Sequence, residues 1–409
     1  MIAYSKIYKV LLLSAILLCA GCTFNNVYEV ETLGNKPTNI QGIKHIFEGG
    51  AKTVNVVMIH GMGYHPPKDV LTTNGVTNKY QIKLADKLGF DIDNPIEFSP
   101  QKLYLENNEY LVGGALYTRV FNRADGKKLR MFALSWDEVT VEIQKAILEV
   151  DKDFLETNGS KNREEERVWL NRQLKKFVNK SFSDPVLYIG EFGHQIRHIV
   201  ATGIEKIQLE IDKSNDIDSN KIVLIADSLG SSVTFDTVNM LNQLNKESIE
   251  VRKGQELVNT ITQLQASARA EAQAAAALQF ADNTQIIHMN ANQLPLIELG
   301  KIKGPSGNDK SFKSWLDNYP CPQKTGVLGF ENTKTHIVAY TDPNDALSYY
   351  LTERIYQNCG AENNTNITNV YLTNAWYNVL HLYAPAGKAH AMGFKTNDKA
   401  LDIIVNGVQ

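Results

Sequence analysis

The stretch KIVLIADSLGSSVTF, residues 221–235, joins a strand pattern to a helix pattern at a single serine. Its first half is a short apolar run rich in β-branched residues, which is typical of a buried strand. The residues after Ser228 are small and then compatible with a helix. A sharp strand-to-helix turn needs small residues two positions before and after its bend, and Ala226 and Gly230 stand there. The stretch therefore predicts that Ser228 lies on such a turn, with Ala226 where glycine is commoner.

Similar apolar runs recur along the chain, with helical patterns between them. The runs cover residues 54–60, 129–136, 222–226, 286–291, 336–340 and 370–374. Buried strands that alternate with helices favour a parallel sheet covered on both faces. We therefore predict an α/β fold with a mostly parallel central sheet and helices on both faces.

Two intervals between these runs are unusually long or biased. Residues 137–221 separate two predicted strands and carry helical patterning, which predicts a helical insertion. A cap over one end of the sheet and a pair of surface helices without a gating role both fit this segment. Residues 258–280 are rich in alanine, the best helix former, and predict a long helix.

The composition is that of an ordinary globular protein. The chain has 409 residues, of which 43% are hydrophobic and 21% charged, and its formal net charge is −3. No block of basic residues is present. Nucleic acid is therefore not expected as a partner.

The first residues have the order of an export signal. Two lysines precede an apolar run from Val10 to Leu18, which is too short to span a bilayer. The end of the segment, Ala20-Gly21-Cys22, resembles a bacterial lipobox, although Cys19 stands where that pattern usually has leucine. The resemblance implies that Cys22 is acylated and anchors the protein in the cell envelope. Simple secretion is the alternative.

This division predicts three segments. Residues 1–21 are a lipoprotein signal peptide, residues 22–50 a tether with an edge strand, and residues 51–409 the main domain with its insertion. Thr23 after the anchoring cysteine implies, by resemblance to lipoprotein sorting, an outer-membrane location. An exported compartment permits a disulfide between Cys321 and Cys359.

A second segment complements the serine turn. HGMGYH, residues 60–65, follows the first apolar run directly, and its glycines let a backbone N–H point inwards. A nucleophilic serine needs a base, an acid and two N–H donors for the developing oxyanion. The donors expected are Leu229, directly after the serine, and Met62 in the glycine loop. A plain glycine turn closing a strand is the structural alternative.

VVMIHGMG and IVLIADSLGSS together resemble the oxyanion and nucleophile segments of the α/β-hydrolase fold. The likeness extends from about residue 50 to the C-terminus, apart from the insertion. The resemblance implies a chain order of nucleophile, acid and histidine. It also implies chemistry without a metal or organic cofactor.

The remaining triad members are sought after Ser228 in that order. Asp345 precedes Ala-Leu-Ser, like the pattern that follows the family's acid, and Asp342 stands nearer the strand end as the alternative acid. Family histidines commonly lie in the loop between the last strand and the last helix. His390 occupies such a loop, before a helix capped by Thr396 or Asn397, and is the expected base, with His381 as second choice.

The resemblance implies a membrane-anchored serine hydrolase that cleaves a carboxylic ester, as an esterase, lipase or phospholipase does. Its partners would be an acyl-ester or lipid substrate and the membrane that holds the anchor. A non-catalytic envelope protein that binds a lipid or protein partner on the same scaffold is the alternative. His194 and His198 share one helix face, but Gln195 replaces the glutamate of H-E-x-x-H, so no metal site is expected.

Overall fold

The chain forms an α/β structure with one large, mostly parallel mixed sheet and helices on both of its faces. The computed structural model describes residues 27–33, 38–63, 65, 67–106, 108–148, 168, 171, 174–175, 177–214, 220–254, 261–301, 335–352, 366–373, 389–390 and 397–408.

Twelve strands occur in these residues, ten of them in the large sheet. They are β1 (Val27–Thr32), β2 (Ile40–Gln41), β3 (Thr53–Ile59), β4 (Ile96–Glu97), β5 (Gln101–Leu105), β6 (Asn108–Asn122), β7 (Lys128–Ser135), β8 (Lys221–Asp227), β9 (Thr284–Asn290), β10 (His336–Thr341), β11 (Asn366–Leu372) and β12 (Gly407–Val408). The last strand pairs with β2 in a small separate sheet.

Six parallel strands form the centre of the large sheet, in the order β11-β10-β9-β8-β3-β7. They confirm the six predicted strands, with β11 beginning four residues before its predicted run. Nearly every residue of β3, β8, β9 and β10 is buried, as expected for strands covered on both faces. The edges are antiparallel, with β1 beside β11 and β6 beside β7.

The helices pack on both faces of the sheet. They are α1 (Ile43–Glu48), α2 (Pro67–Leu71), α3 (Val76–Lys87), α4 (Glu138–Leu148), a π-helix (Val178–Phe182), α5 (Ser183–Ile189), α6 (Gly193–Asp212), α7 (Leu229–Gly254), α8 (Ile261–Asn283), α9 (Leu294–Lys301) and α10 (Asp398–Asn406). One hydrophobic cluster joins the sheet to α5–α9, and a second joins its other face to α1, α3 and α10. The predicted arrangement of helices on both faces is therefore confirmed.

The predicted insertion contains α4, the π-helix, α5 and α6 among its described residues. Ile196, Ile199 and Ile204 of α6 are fully buried against the sheet, so α6 is the crossover helix between β7 and β8. Among the described elements, α4, the π-helix and α5 are therefore the ones added to an ordinary single-helix crossover.

Two further helices were predicted. The alanine-rich segment forms α8, which runs three residues beyond its predicted end. Of the two predicted caps, the Asn397 side chain accepts the N–H groups of Lys399 and Ala400 in the first turn of α10, and Gly407 ends the helix at a φ of 76°. Within the described ranges, no helix is both long and apolar enough to cross a membrane.

Candidate active site

Ser228 lies on a strained turn between β8 and α7. Its φ is 53°, in the left-handed region that residues other than glycine rarely occupy. Such a conformation costs of order 1–3 kcal/mol and persists only when the surroundings hold it. The Ser228 N–H donates to the Asn290 carbonyl at 2.7 Å, and its own carbonyl accepts the Ser231 N–H at 3.1 Å. The predicted strand-to-helix turn is therefore present.

The glycine loop after β3 presses directly against this turn. A Cβ at Gly61 would lie 2.6 Å from the Ser228 Cβ, and one at Gly230 would lie 2.5 Å from the His60 carbonyl oxygen. Both distances are far below a normal carbon contact of about 3.5–4.0 Å. Glycine at both positions is therefore what lets the backbone of the loop and the turn touch. The Ala226 methyl, by contrast, is fully buried in the core.

A continuous hydrogen-bond chain joins the serine to a histidine and an aspartate. The Ser228 Oγ lies 2.7 Å from the His390 Nε2, and the His390 Nδ1 lies 2.7 Å from the Asp345 Oδ2. The Asp345 Oδ1 accepts the Leu347 N–H at 2.9 Å, which fixes the carboxylate. The side chain of Asp345 is 1% exposed and that of His390 15%, so the acid is covered and the imidazole is more open. The structure thus brings the three predicted side chains together.

Asp342, the alternative acid, has a different environment. Its Oδ1 accepts the backbone N–H of Asn344 at 2.8 Å and the Asn344 side-chain amide at 3.0 Å. This is the arrangement of an Asx turn. Its carbonyl accepts the Asp345 N–H at 2.9 Å, so Asp342 shapes the loop that carries Asp345. His381, the second choice for the base, lies outside the described residues.

The loop after β9 supports the acid loop from the side. The Asn292 amide donates to the Tyr349 carbonyl at 2.9 Å, and the Asn292 carbonyl accepts the Tyr349 N–H at 2.9 Å. Asn292 Oδ1 also accepts the Leu294 N–H. Gln293 is fully buried, with its amide nitrogen 3.9 Å from the Met62 sulfur. These two amides therefore connect the acid loop and the glycine loop to the same strand end.

The two expected oxyanion donors flank the serine turn. Leu229 follows Ser228 directly and begins α7, where free N–H groups favour negative charge. Met62 stands between two glycines of the loop that touches the turn, and its side chain packs on the hydrophobic cluster beside α6 and α7. This placement is compatible with two N–H groups converging near the Ser228 Oγ.

Sequence reasoning missed a group of buried acids and histidines behind the glycine loop. The Gly63 N–H donates to the Asp184 Oδ2 at 2.6 Å, and the His65 N–H donates to the Asp137 Oδ2 at 2.5 Å. His60 stacks on the Trp136 ring at 4.9 Å. Asp137 lies two residues after the end of β7, and a polar residue at the carboxyl end of a parallel strand is a usable signal. Asp184, in contrast, carries no such signal.

These acids and histidines perturb one another. Burial alone would lower the pKa of His60, but the Asp137 carboxylate 3.2 Å away and the Gly61 carbonyl outweigh it and raise that pKa. Burial would raise the pKa of Asp137, but His60 and the His65 N–H outweigh it, so that pKa is lowered. Burial raises the pKa of Asp184 to about 6, although the Gly63 N–H opposes the shift. Of the two buried acids, Asp184 therefore has the higher pKa and is the more easily protonated.

Three further histidines of the described ranges, His288, His336 and His194, have partners away from Ser228. His288 Nδ1 lies 2.9 Å from the Tyr340 hydroxyl, and burial lowers its pKa to about 3. His336 Nε2 lies 2.8 Å from the Thr368 hydroxyl, and burial lowers its pKa to about 4. Both are therefore core histidines. His194 lies on the surface, with its Nε2 2.7 Å from a Glu106 oxygen.

The two roles predicted for three cysteines are not addressed by the structure. Cys22, Cys321 and Cys359 lie outside the described residues. Acylation of the first and a disulfide between the other two stay predictions.

Comparison with known proteins gives no relative from which a function follows. The chain matches no protein-family model, and neither the curated proteins nor the solved structures contain a significant match.

Proposed function

We propose that the chain is a serine hydrolase with an α/β-hydrolase fold that cleaves carboxylic ester bonds. The observation that carries this proposal is the hydrogen-bond chain from Ser228 through His390 to Asp345, with both links at 2.7 Å. The strained turn at Ser228 adds to it, because a residue other than glycine is held at positive φ where the nucleophile is expected. An ordinary serine opening a helix needs neither feature.

The geometry supports a two-step acyl transfer. His390 Nε2 takes the Ser228 proton as the hydroxyl oxygen attacks the ester carbonyl, and Asp345 stabilises the resulting imidazolium. The N–H groups of Leu229 and Met62 hold the oxyanion, each being worth about 3 kcal/mol of the barrier. His390 then gives the proton to the departing alcohol. Water repeats the attack on the acyl-enzyme and releases the acid.

The substrate class we propose is a lipid or other acyl ester reached from a membrane. An acylated Cys22 would hold the protein at the cell envelope, with the outer membrane as the expected site. Exposed apolar side chains on the π-helix and α5, among them Phe182, Val186 and Ile189, support contact with apolar substrates. These residues flank Asp184, which touches the glycine loop.

Ester hydrolysis by the full chain, purified in detergent, tests the catalytic proposal. We expect turnover of p-nitrophenyl butyrate by the wild type and its loss in Ser228→Ala and in His390→Ala, each with an unchanged melting temperature. Substantial activity in either variant would contradict that assignment. Absence of turnover in the wild type would favour the non-catalytic binding protein.

Membrane fractionation of cells tests the anchor separately. Cys22→Ser should release the protein from membranes, because the acylation site is removed. An unchanged membrane fraction would remove the lipoprotein proposal without affecting the catalytic one.

A further inference from the structure

The glycine loop that follows β3 is held from behind by a carboxylate from a distant helix. The Gly63 N–H donates to the Asp184 Oδ2 at 2.6 Å, across 121 positions of sequence. Asp184 belongs to α5, in the part of the chain that precedes the crossover helix. A hydrogen bond to an ionised acceptor is about twice as strong as one between neutral groups. The contact therefore ties an added helix to the loop expected to bind the oxyanion.

The loop needs such a restraint, because glycine gives it conformational freedom. Gly63 has a φ of 92°, in the region that only glycine enters readily. With Gly61 also in the loop, the peptide units around Met62 have few intrinsic barriers to rotation. An outside contact must then select one orientation.

Asp184 is a buried carboxylate, and its burial costs solvation free energy. It is 1% exposed, and its Oδ1 accepts a hydrogen bond from the Gln144 amide of α4. The groups that face it are the Asp137 carboxylate after β7, the His60 imidazole at the end of β3, and Thr140 of α4. Moving a carboxylate out of water costs several kcal/mol, and the raised pKa of Asp184 indicates that its hydrogen bonds do not fully offset this cost. Stability alone therefore does not explain a carboxylate at this position.

We propose that Asp184 is a positioning residue: it fixes the peptide between Met62 and Gly63 and so restrains the adjoining Gly61–Met62 peptide, whose Met62 N–H is the expected oxyanion donor. This assignment rests on the proposed hydrolase function. The Gly63 N–H and the Met62 carbonyl belong to one planar peptide unit and point in opposite directions. A carboxylate accepts the N–H but repels the carbonyl oxygen, so it selects one of the two orientations of this peptide.

The selection depends on the charge of Asp184. Burial raises its pKa to about 6, while Asp137 beside His60 has a lowered pKa and stays ionised. Below about pH 6 the protonated Asp184 can donate as well as accept, and both peptide orientations then find a partner. The expected signature is a loss of kcat on acidification that exceeds the loss caused by protonation of the base His390.

Two substitutions of Asp184 and one control on the same helix test the assignment. Asp184→Leu removes both acceptor oxygens, and Asp184→Asn keeps one carbonyl oxygen without the charge. Tyr188→Phe removes a hydroxyl that donates to Asp236 and to the Ser232 carbonyl, both in α7, and so perturbs α5 through contacts other than the Asp184–Gly63 bond. The readouts are kcat and KM for p-nitrophenyl butyrate between pH 5 and 8 and the melting temperature, on the full chain in detergent.

We expect Asp184→Leu to lower kcat about 100-fold, the effect of losing one oxyanion donor, with KM within threefold of wild type. Its melting temperature should fall by a few degrees, because the Gly63 N–H and the Gln144 amide lose their acceptor. Asp184→Asn should lose less kcat than Asp184→Leu, and its kcat should fall less steeply on acidification than that of the wild type, because only protonation of the base His390 then contributes. Tyr188→Phe should keep kcat within twofold.

Several results would overturn the assignment. If the wild type is active and Asp184→Leu keeps kcat within threefold of it, the assignment is wrong while the proposed function stands. The assignment is also wrong if Asp184→Asn has the pH profile of the wild type, and this second test remains available if Asp184→Leu does not fold. An equal loss of kcat in Tyr188→Phe would show a structural role for α5 instead. A wild type no more active than Ser228→Ala would overturn the proposed function and this assignment with it.

Discussion

Asparagine substitutions at Asp345 and Asp342 test the proposed triad with two nearly identical changes. The two aspartates lie three positions apart in one loop, and each substitution removes one charge at constant size. Only Asp345 contacts the His390 imidazole, at 2.7 Å. The pair therefore separates loss of a triad acid from loss of a carboxylate in this loop.

The effect at Asp345 follows from its two partners, both of which are donors. Its Oδ2 faces the His390 Nδ1, and its Oδ1 accepts the Leu347 N–H at 2.9 Å. An asparagine must therefore turn its NH2 group towards one of these donors. Turning it to His390 forces the proton onto Nε2, where it blocks removal of the Ser228 proton. For a Ser-His-Asp site the loss is about 10⁴-fold in kcat, or roughly 5 kcal/mol of barrier.

The effect at Asp342 should be small. Its Oδ1 accepts both hydrogen bonds from Asn344, and an asparagine keeps that oxygen. We expect kcat for p-nitrophenyl butyrate within about tenfold of wild type, since Asn also forms Asx turns well. Melting temperatures of both variants serve as the control for folding. A larger loss of kcat in Asp342→Asn than in Asp345→Asn would refute this reasoning.

Three other perturbations test the surroundings of the site. Gly61→Ala should lower kcat about 100-fold, because its Cβ would lie 2.6 Å from the Ser228 Cβ and must displace the loop by about 1 Å. The control is Gly49→Ala, where the nearest atom to the added Cβ is 3.3 Å away. Equal activity of the two variants would contradict the close contact at Gly61. Burial raises the pKa of Asp184 from 3.8 to about 6, so the folded protein keeps this proton to higher pH than the unfolded chain. We therefore expect the difference in unfolding free energy between the wild type and Asp184→Asn to fall by about 3 kcal/mol from about pH 4 to pH 6 and then to level off. Urea titrations that give the same difference at every pH would argue against the raised pKa. Asn397→Ala should cost about 1 kcal/mol of unfolding free energy, because its side chain accepts two N–H groups at the start of α10; an unchanged urea midpoint would show that the cap is dispensable.

The central strands were predictable because parallel strands covered on both faces are short, nearly continuous apolar runs. The antiparallel part of the sheet was not. β6 contains Gly113 and Gly114, which look like a turn in the sequence. In the structure a Cβ at Gly113 would lie 2.4 Å from the Ile199 Cδ1, and one at Gly114 would lie 2.0 Å from the Ser135 carbonyl oxygen. These glycines allow α6 and β7 to approach, which is a tertiary requirement that local patterns do not show.

The candidate site divides in the same way. The positions of Ser228, Asp345 and His390 follow from local patterns and from chain order, so the sequence was sufficient to propose them. The contact between Asp184 and Gly63 joins residues 121 positions apart and depends on how α5 lies against the glycine loop. The bounds of the insertion could not be predicted from the sequence either, because only the packing of α6 on the sheet identifies it as a crossover helix.

The most direct test of the central claim is the intact mass of the full chain, purified in detergent, after treatment with a fluorophosphonate. A fluorophosphonate modifies a serine only where a base and an oxyanion site activate the hydroxyl. We predict a single adduct on the wild type and none on Ser228→Ala. An unmodified wild type, or an adduct that persists in Ser228→Ala, would contradict the assignment of Ser228 as the activated nucleophile.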